Sequence, residues 1–331
     1  MPRILPWLIA VAVLATIPFL GLGNYYLHLL ITILIWGFIY TSWSLMGRFG
    51  LVSLGHGAFL GIGAYTVTLL WNDAGLSPWI GIPIAMVFAG IVAVLIGYPC
   101  FRFRIVGHYF ALVTLALSEV VRLTIVALRD TTGGSLGITP RSADTPNSLM
   151  ALQFSDKETF FYIALAVWLF GLWIWKLVDR SMARYALEAI SEEEDASASL
   201  GMNVTRTKLT ITVVSAMMTA LGGVLYAQYQ LYINPETMSG IAISLQIVFA
   251  VIAGGMYVQL GPTVGAVFTL MLAESLRILV GHDVHGLDGT IYGLLLVLFI
   301  IFMPKGILGA LLSWWEKRGD SREQAKPAPA E

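Results

Sequence analysis

Residues 179–208 read DRSMARYALEAISEEEDASASLGMNVTRTK, a charge-dense stretch in a chain that otherwise runs from one apolar segment to the next. It opens on basic residues, continues as an Ala- and Glu-rich helical run through Ser199, and reaches Gly201, a natural helix stop. Asn203 or Thr205 can then cap the next helix. The expected shape is a short surface helix, a turn and a return into an apolar helix. Pinned at both ends, such a unit passes a push into the helices it joins.

The residues around this stretch set the class. Of 331 residues, 57% are hydrophobic and 12% charged, against about 25% charged in an average soluble domain, and the mean hydropathy is +0.80. The apolar runs are continuous, unlike the alternating strands of a membrane β-barrel, so the chain reads as an all-α polytopic membrane protein. A net charge of −1 argues against a nucleic-acid partner. With Cys100 as its only cysteine, the chain has no internal disulfide, thiolate metal cluster or redox pair.

A bilayer core takes about 20 apolar residues per helix. Ten runs qualify, near 4–23, 25–46, 52–71, 79–99, 107–128, 159–177, 209–232, 241–258, 263–281 and 288–303. The first resembles a signal peptide in its basic start, but it is longer than the usual apolar core and lacks a small-x-small end, so it reads as a span. With a cytoplasmic amino terminus, fourteen basic residues fall inside and only Arg129, Arg141 and Lys157 outside, which places both termini in the cytoplasm. The third run is crowded by Gly50, Gly55, Gly57, Gly61 and Gly63, so residues 52–71 are either a full span or a re-entrant segment facing protein or a watery path. Alternatively, Gly57 and Gly61 let two helices approach closely. Residues 129–158 form an outer loop whose TTGGSLG and prolines suggest an ordered cap or docking surface. Residues 316–331 are a charged tail ending in KPAPAE that reads as disordered.

The pattern T-L-x-L-x-E-x-x-R occurs twice, as TLALSEVVR (Thr114–Arg122) and TLMLAESLR (Thr269–Arg277), and such self-similarity marks transporters built from duplicated halves. Residues three apart share a helix face, so Glu119 with Arg122, and Glu274 with Arg277, are expected to be ion pairs facing protein or water. They are either a polar wall or proton relay, or structural pairs near the outer interface.

The loop also carries a family likeness. Asp195-Ala196-Ser197-x-x-x-Gly201 resembles the E-A-A-x-x-x-G motif in the cytoplasmic loop of ABC import permeases, and the stretch through LGMNVTRTK resembles its LivM-type, branched-chain amino acid branch. LVSLGHGAFLGIGAY (Leu51–Tyr65), GHYFALVTLALSEVVR (Gly107–Arg122), TGGSLGI (Thr132–Ile138), the GG and LGP within Gly254–Pro262, and FMPKGILG (Phe302–Gly309) extend the resemblance over almost the full chain. It implies an ABC type II-like importer permease bundle of about ten transmembrane helices with an internal repeat. Residues 1–315 would be the permease domain, in a bacterial inner membrane. It also implies a paralogous permease partner, two cytosolic ATPase subunits that hold ATP and Mg, and a periplasmic binding protein, with no cofactor bound by this chain and no catalytic or metal-binding residue. Asp195, Ala196, Ser197, Gly201, Asn203 and Arg206 would couple to an ATPase. Ser53, His56, Gly57, Gln246, Glu119 and Glu274 would line the path, although His56 is equally a buried helix-capping partner. Leucine, isoleucine and valine are the default substrates of the branch, and relatives carry urea, amides or other amino acids. The acidic EEED is a departure from the motif, and Glu192, Glu193 and Glu194 read as a solvated face.

Two other classes fit the sequence less well. A proton-coupled secondary transporter would titrate Glu119, Glu274 and His56, but each glutamate has an arginine nearby to hold it ionised. An intramembrane enzyme is disfavoured because the sequence contains no His-Glu-x-x-His and no nucleophile elbow on a span; its one Gly-x-Ser-x-Gly, Gly133 to Gly137, falls in the outer loop. No Gly-x-x-x-x-Gly-Lys-[Ser/Thr] loop is present for the chain to bind ATP itself.

Overall fold

The computed structural model describes residues 5–21, 23–143, 147–280, 287–302, 306–311 and 313. The tail at 316–331 lies outside them. The helices are α1 (Leu5–Thr16), α2 (Asn24–Gly47), α3 (His56–Ala74), α4 (Pro78–Arg102), α5 (His108–Ala127), α6 (Arg129–Thr132), α7 (Lys157–Arg180), α8 (Met182–Glu192), α9 (Glu194–Ser199), α10 (Val204–Gln230), α11 (Pro235–Met238), α12 (Ile241–Gly254), α13 (Gly261–Val280) and α14 (Leu287–Phe302). Among the described residues, seven stretches are long and apolar enough to cross a membrane: Asn24–Gly47, Pro78–Arg102, His108–Ala127, Lys157–Arg180, Val204–Gln230, Pro235–Gly254 and Gly261–Leu279. The fold is that of an all-α polytopic membrane protein. Helices α1 and α14 have only 12 and 16 residues, and α3 is too polar to be counted with the seven.

Helix α2 is apolar on every side, the signature of a helix enclosed by others. Its best apolar window is 83% buried, against 28% in α5 and 22% in α13, so α2 forms the centre of the bundle and α5 and α13 its rim. It packs against α7, α10, α12 and α13. Helix α10 crosses α3 at very short range. A Cβ at Gly63 would fall on the carbonyl of Ala220, and one at Gly223 on the carbonyl of Leu60, so neither position accepts a side chain without moving backbone.

The glycine-rich third run is interrupted. Gly50 has φ +77°, the helix starts only at His56, and the chain between needs partners for its freed backbone groups. It finds them inside the protein: Leu54 N–H donates to Thr114 Oγ1 (2.9 Å), Gly55 N–H to Ser53 Oγ (3.2 Å), and Trp43 Nε1 to the Ser53 carbonyl (2.7 Å).

At one end of the bundle, residues 129–143 and 147–156 form a cap. It contains α6, an isolated bridge between Ile138 and Ile233, and a small hairpin of β1 (Asn147–Ser148) and β2 (Gln153–Phe154). Trp71, Asn72 and Trp79 donate to the cap carbonyls of Arg141, Thr139 and Leu149 at 2.7–2.9 Å. Helices α8 and α9 stand at the opposite end. The single helical run expected through Ser199 is two helices, because Glu193 takes an extended backbone (φ −150°, ψ 103°). One continuous helix would stack the carboxylates of Glu192 to Asp195 along its surface. The break places Glu194 and Asp195 in a new first turn, where helix polarity favours acids.

Candidate functional site

The segment between α7 and α10 is tied to the bundle at both ends. At its start, Arg48 follows the last residue of α2 with its side chain only 5% exposed, and reaches Asp179 at 3.2 Å. Its guanidinium lies 4.1 Å from the Trp175 ring centroid and 4.7 Å from that of Phe49. Burial pulls the Arg48 pKa down to about 10, with Asp179 opposing the fall, so the group stays cationic at neutral pH. Asp179 also meets Arg184 (3.1 Å), which pairs with Glu188 one turn on (2.7 Å). The hydrogen bond from Glu188, with Asp179 adding to it, holds the Arg184 pKa above its ordinary value.

At its end, α9 is held by two ion pairs. Glu194 meets Lys208 (2.5 Å), and Asp195 meets Arg104 (2.6 Å), which follows α4. The first pair is enclosed, with side chains 7% and 23% exposed for Lys208 and Glu194; the second is open at 66% and 71% for Arg104 and Asp195. Gly201 then turns the chain with φ +88°, and the Asn203 side chain accepts from Arg206 N–H (2.9 Å), capping α10. Of the two cap candidates, the structure uses Asn203.

Asp195, Ala196, Gly201, Asn203 and Arg206 are exposed together on this turn, whereas Ser197 is buried against the bundle. Met182, Tyr185 and Leu200 are 81%, 60% and 83% exposed beside them. The surface therefore combines an acidic turn with protruding apolar side chains, which suits a protein partner. Glu194 departs from the expected solvated face, because Lys208 takes it inward.

The expected path residues do not converge. His56 is fully buried, between Trp43 and Phe59. Its Nε2 lies 2.8 Å from Ser215 Oγ, which donates to the Ser42 carbonyl (2.6 Å), and its Nδ1 lies 3.2 Å from Ser53 Oγ. Because the Ser215 hydrogen is committed to Ser42, Nε2–H donates to Ser215 and Ser53 donates to Nδ1. A neutral imidazole is thus fully satisfied as a packing partner joining α2, α3 and α10. Gly57 is also enclosed, its N–H donating to Ser244 Oγ (3.1 Å). Gln246 is partly exposed and its Nε2 donates to Tyr40 Oη (3.3 Å).

The repeated Glu and Arg differ between their copies. Arg122 pairs with Glu119 three residues back and with Glu236 on α11 (2.6 Å). Glu274 instead accepts from Tyr25 Oη (2.7 Å) and has no ion pair with Arg277 among the described residues, a correction to the expected second pair. The threonines are alike: Thr114 and Thr269 are buried, and each donates to the carbonyl four residues back. Among the described residues, no hydrogen-bond chain links Glu119, His56 and Glu274. Reading the sequence missed Arg48, Arg104 and Lys208, whose partners lie 131, 91 and 14 residues away, beyond any helical spacing.

Residues 25–303 match the family model described as "Branched-chain amino acid transport system / permease component". The chain is 33% identical over 283 residues to the high-affinity branched-chain amino acid transport system permease protein LivM of Escherichia coli, covering 80% of this chain and 65% of the relative. The Salmonella typhimurium LivM is 32% identical over the same coverage. A probable branched-chain amino acid transport permease protein LivH of Methanocaldococcus jannaschii is 24% identical, covering 77% of this chain and 82% of that one. The chain thus spans about two thirds of the length of the LivM relatives it matches. No solved structure matches it. With a family match over most of its length and two relatives above 30% identity, the chain belongs to the branched-chain amino acid transport system permease family.

Proposed function

We propose that the chain is the membrane-spanning permease subunit of an ATP-driven importer, moving branched-chain amino acids delivered by a periplasmic binding protein across a bacterial inner membrane. The observation that carries this reading is the α8–α9 segment, an exposed acidic and apolar surface fixed by ion pairs to the inner ends of α4, α7 and α10. One of two cytosolic ATPase subunits, which hold ATP and Mg, docks there, and a paralogous permease completes the membrane part. The chain itself carries no cofactor and no catalytic group. Ten helices, α1 to α5, α7, α10 and α12 to α14, cross the membrane, with both termini and α8–α9 on the cytoplasmic side. The two Thr-Leu repeats on α5 and α13 are traces of a duplicated half.

The chain's work is conformational: binding energy released at the ATPases biases a two-state bundle. Closure of the ATPases moves α9, and α9 moves α10 through Lys208. The test is leucine uptake into vesicles holding this chain with the ATPase, second permease and binding-protein subunits. Uptake should require internal ATP and survive an uncoupler. Uptake that an uncoupler abolishes while ATP is held constant would support proton coupling instead.

A further inference from the structure

Lys208 is buried, with its side chain 7% exposed. It lies in the second turn of α10, and its ammonium meets the first residue of α9 across the Gly201 turn. The neighbouring acid, Asp195, is held among the described residues by the open contact with Arg104. The two contacts differ in kind. An exposed pair is screened and easily exchanged, whereas breaking an enclosed pair leaves an uncompensated charge. Between α9 and the end of α4 lies a cleft of about 400 Å³ bounded by Phe101, Arg104, Glu194, Gly201 and Met202, so one side of α9 has room to move.

We propose that Lys208 is the positioning residue of the coupling segment, pinning the first turn of α9 to α10 through Glu194 while the Arg104–Asp195 contact yields, so that α9 pivots about the pin over the cleft. This rests on the functional reading above and deepens it. Motion of α9 is then delivered to α10, the helix that crosses α3 at Gly63 and Gly223, rather than lost in a loose loop. Asp195, released from Arg104, is free to meet a cation of the ATPase.

The test uses the full importer in vesicles, with leucine as the probe, and reads ATP hydrolysed per leucine imported. Lys208→Met should keep hydrolysis and raise the ratio at least about fivefold, the lower end of ordinary coupling between two sites. Lys208→Arg, which keeps the cation, should stay within about twofold of wild type on the same scale. Because the single Met variant leaves Glu194 unpaired and endangers folding, the deciding variant is Lys208→Met with Glu194→Met, since an apolar pair often replaces a buried ion pair at no loss of stability. It should assemble and remain uncoupled. A double variant or an assembled Lys208→Met with the wild-type ratio overturns the proposal while leaving the functional reading intact. A wild-type importer that takes up no leucine with ATP overturns both.

Discussion

Gly201→Val separates the coupling turn from the stability of the bundle. Gly201 has φ +88°, and a Cβ built there meets nothing within 4 Å, so the cost of a side chain is purely conformational. Placing an L-residue in left-handed backbone costs roughly 1–2 kcal/mol, and a β-branched one lies at the upper end or beyond. Each 1.4 kcal/mol is about tenfold in an equilibrium, so the native turn between α9 and α10 loses about tenfold against its alternatives. Nothing else in the bundle is touched, and insertion and assembly should be normal. In the vesicle assay, Gly201→Val should lower leucine uptake about tenfold while ATP hydrolysis persists. Gly201→Asn is the control, because Asn tolerates positive φ, and it should transport at close to the wild-type rate. The reasoning fails if the Val variant couples normally, or if Asn is as damaging as Val, since the φ angle would then not be what matters.

The same substitution at Gly63 should have the opposite outcome. A side chain there meets the Ala220 backbone, overpacking costs about 1–3 kcal/mol, and Gly63→Val should lower the melting temperature and folded yield of the purified chain. Arg122→Leu strips the cation from Glu119 and Glu236. Two carboxylates then lose their cation, so yield should fall, whereas Arg277→Leu, which breaks no ion pair among the described residues, should leave yield unchanged when both are compared by size-exclusion chromatography.

The helices were legible because continuous apolar length is a local signal, and so was the coupling turn, since Gly201 and Asn203 act through their own backbone and that of their neighbours. The break at Glu193 was less so: helix propensity is high on both sides, and only the crowding of EEED with its cations elsewhere selects two helices over one. The second ion pair was misread because i, i+3 spacing permits a contact without enforcing it, and Tyr25, 249 residues before Glu274, offers the better partner. His56 illustrates the same limit. Its Gly-His-Gly setting leaves a path role and a buried one equally open, and no period in the sequence encodes its encounter with Ser215, 159 residues away.

Whether α9 is the surface that meets the ATPase is tested most directly by cross-linking. Cys100 is buried and is the only native cysteine, so Cys100→Ala gives a clean background in which Ala196→Cys on α9 is compared with Ser142→Cys in the cap at the opposite end. A short bifunctional thiol-to-amine reagent applied to the assembled importer should join the Ala196 position to an ATPase subunit and leave the Ser142 position unlinked to it. An adduct from Ser142→Cys with none from Ala196→Cys would contradict the assignment.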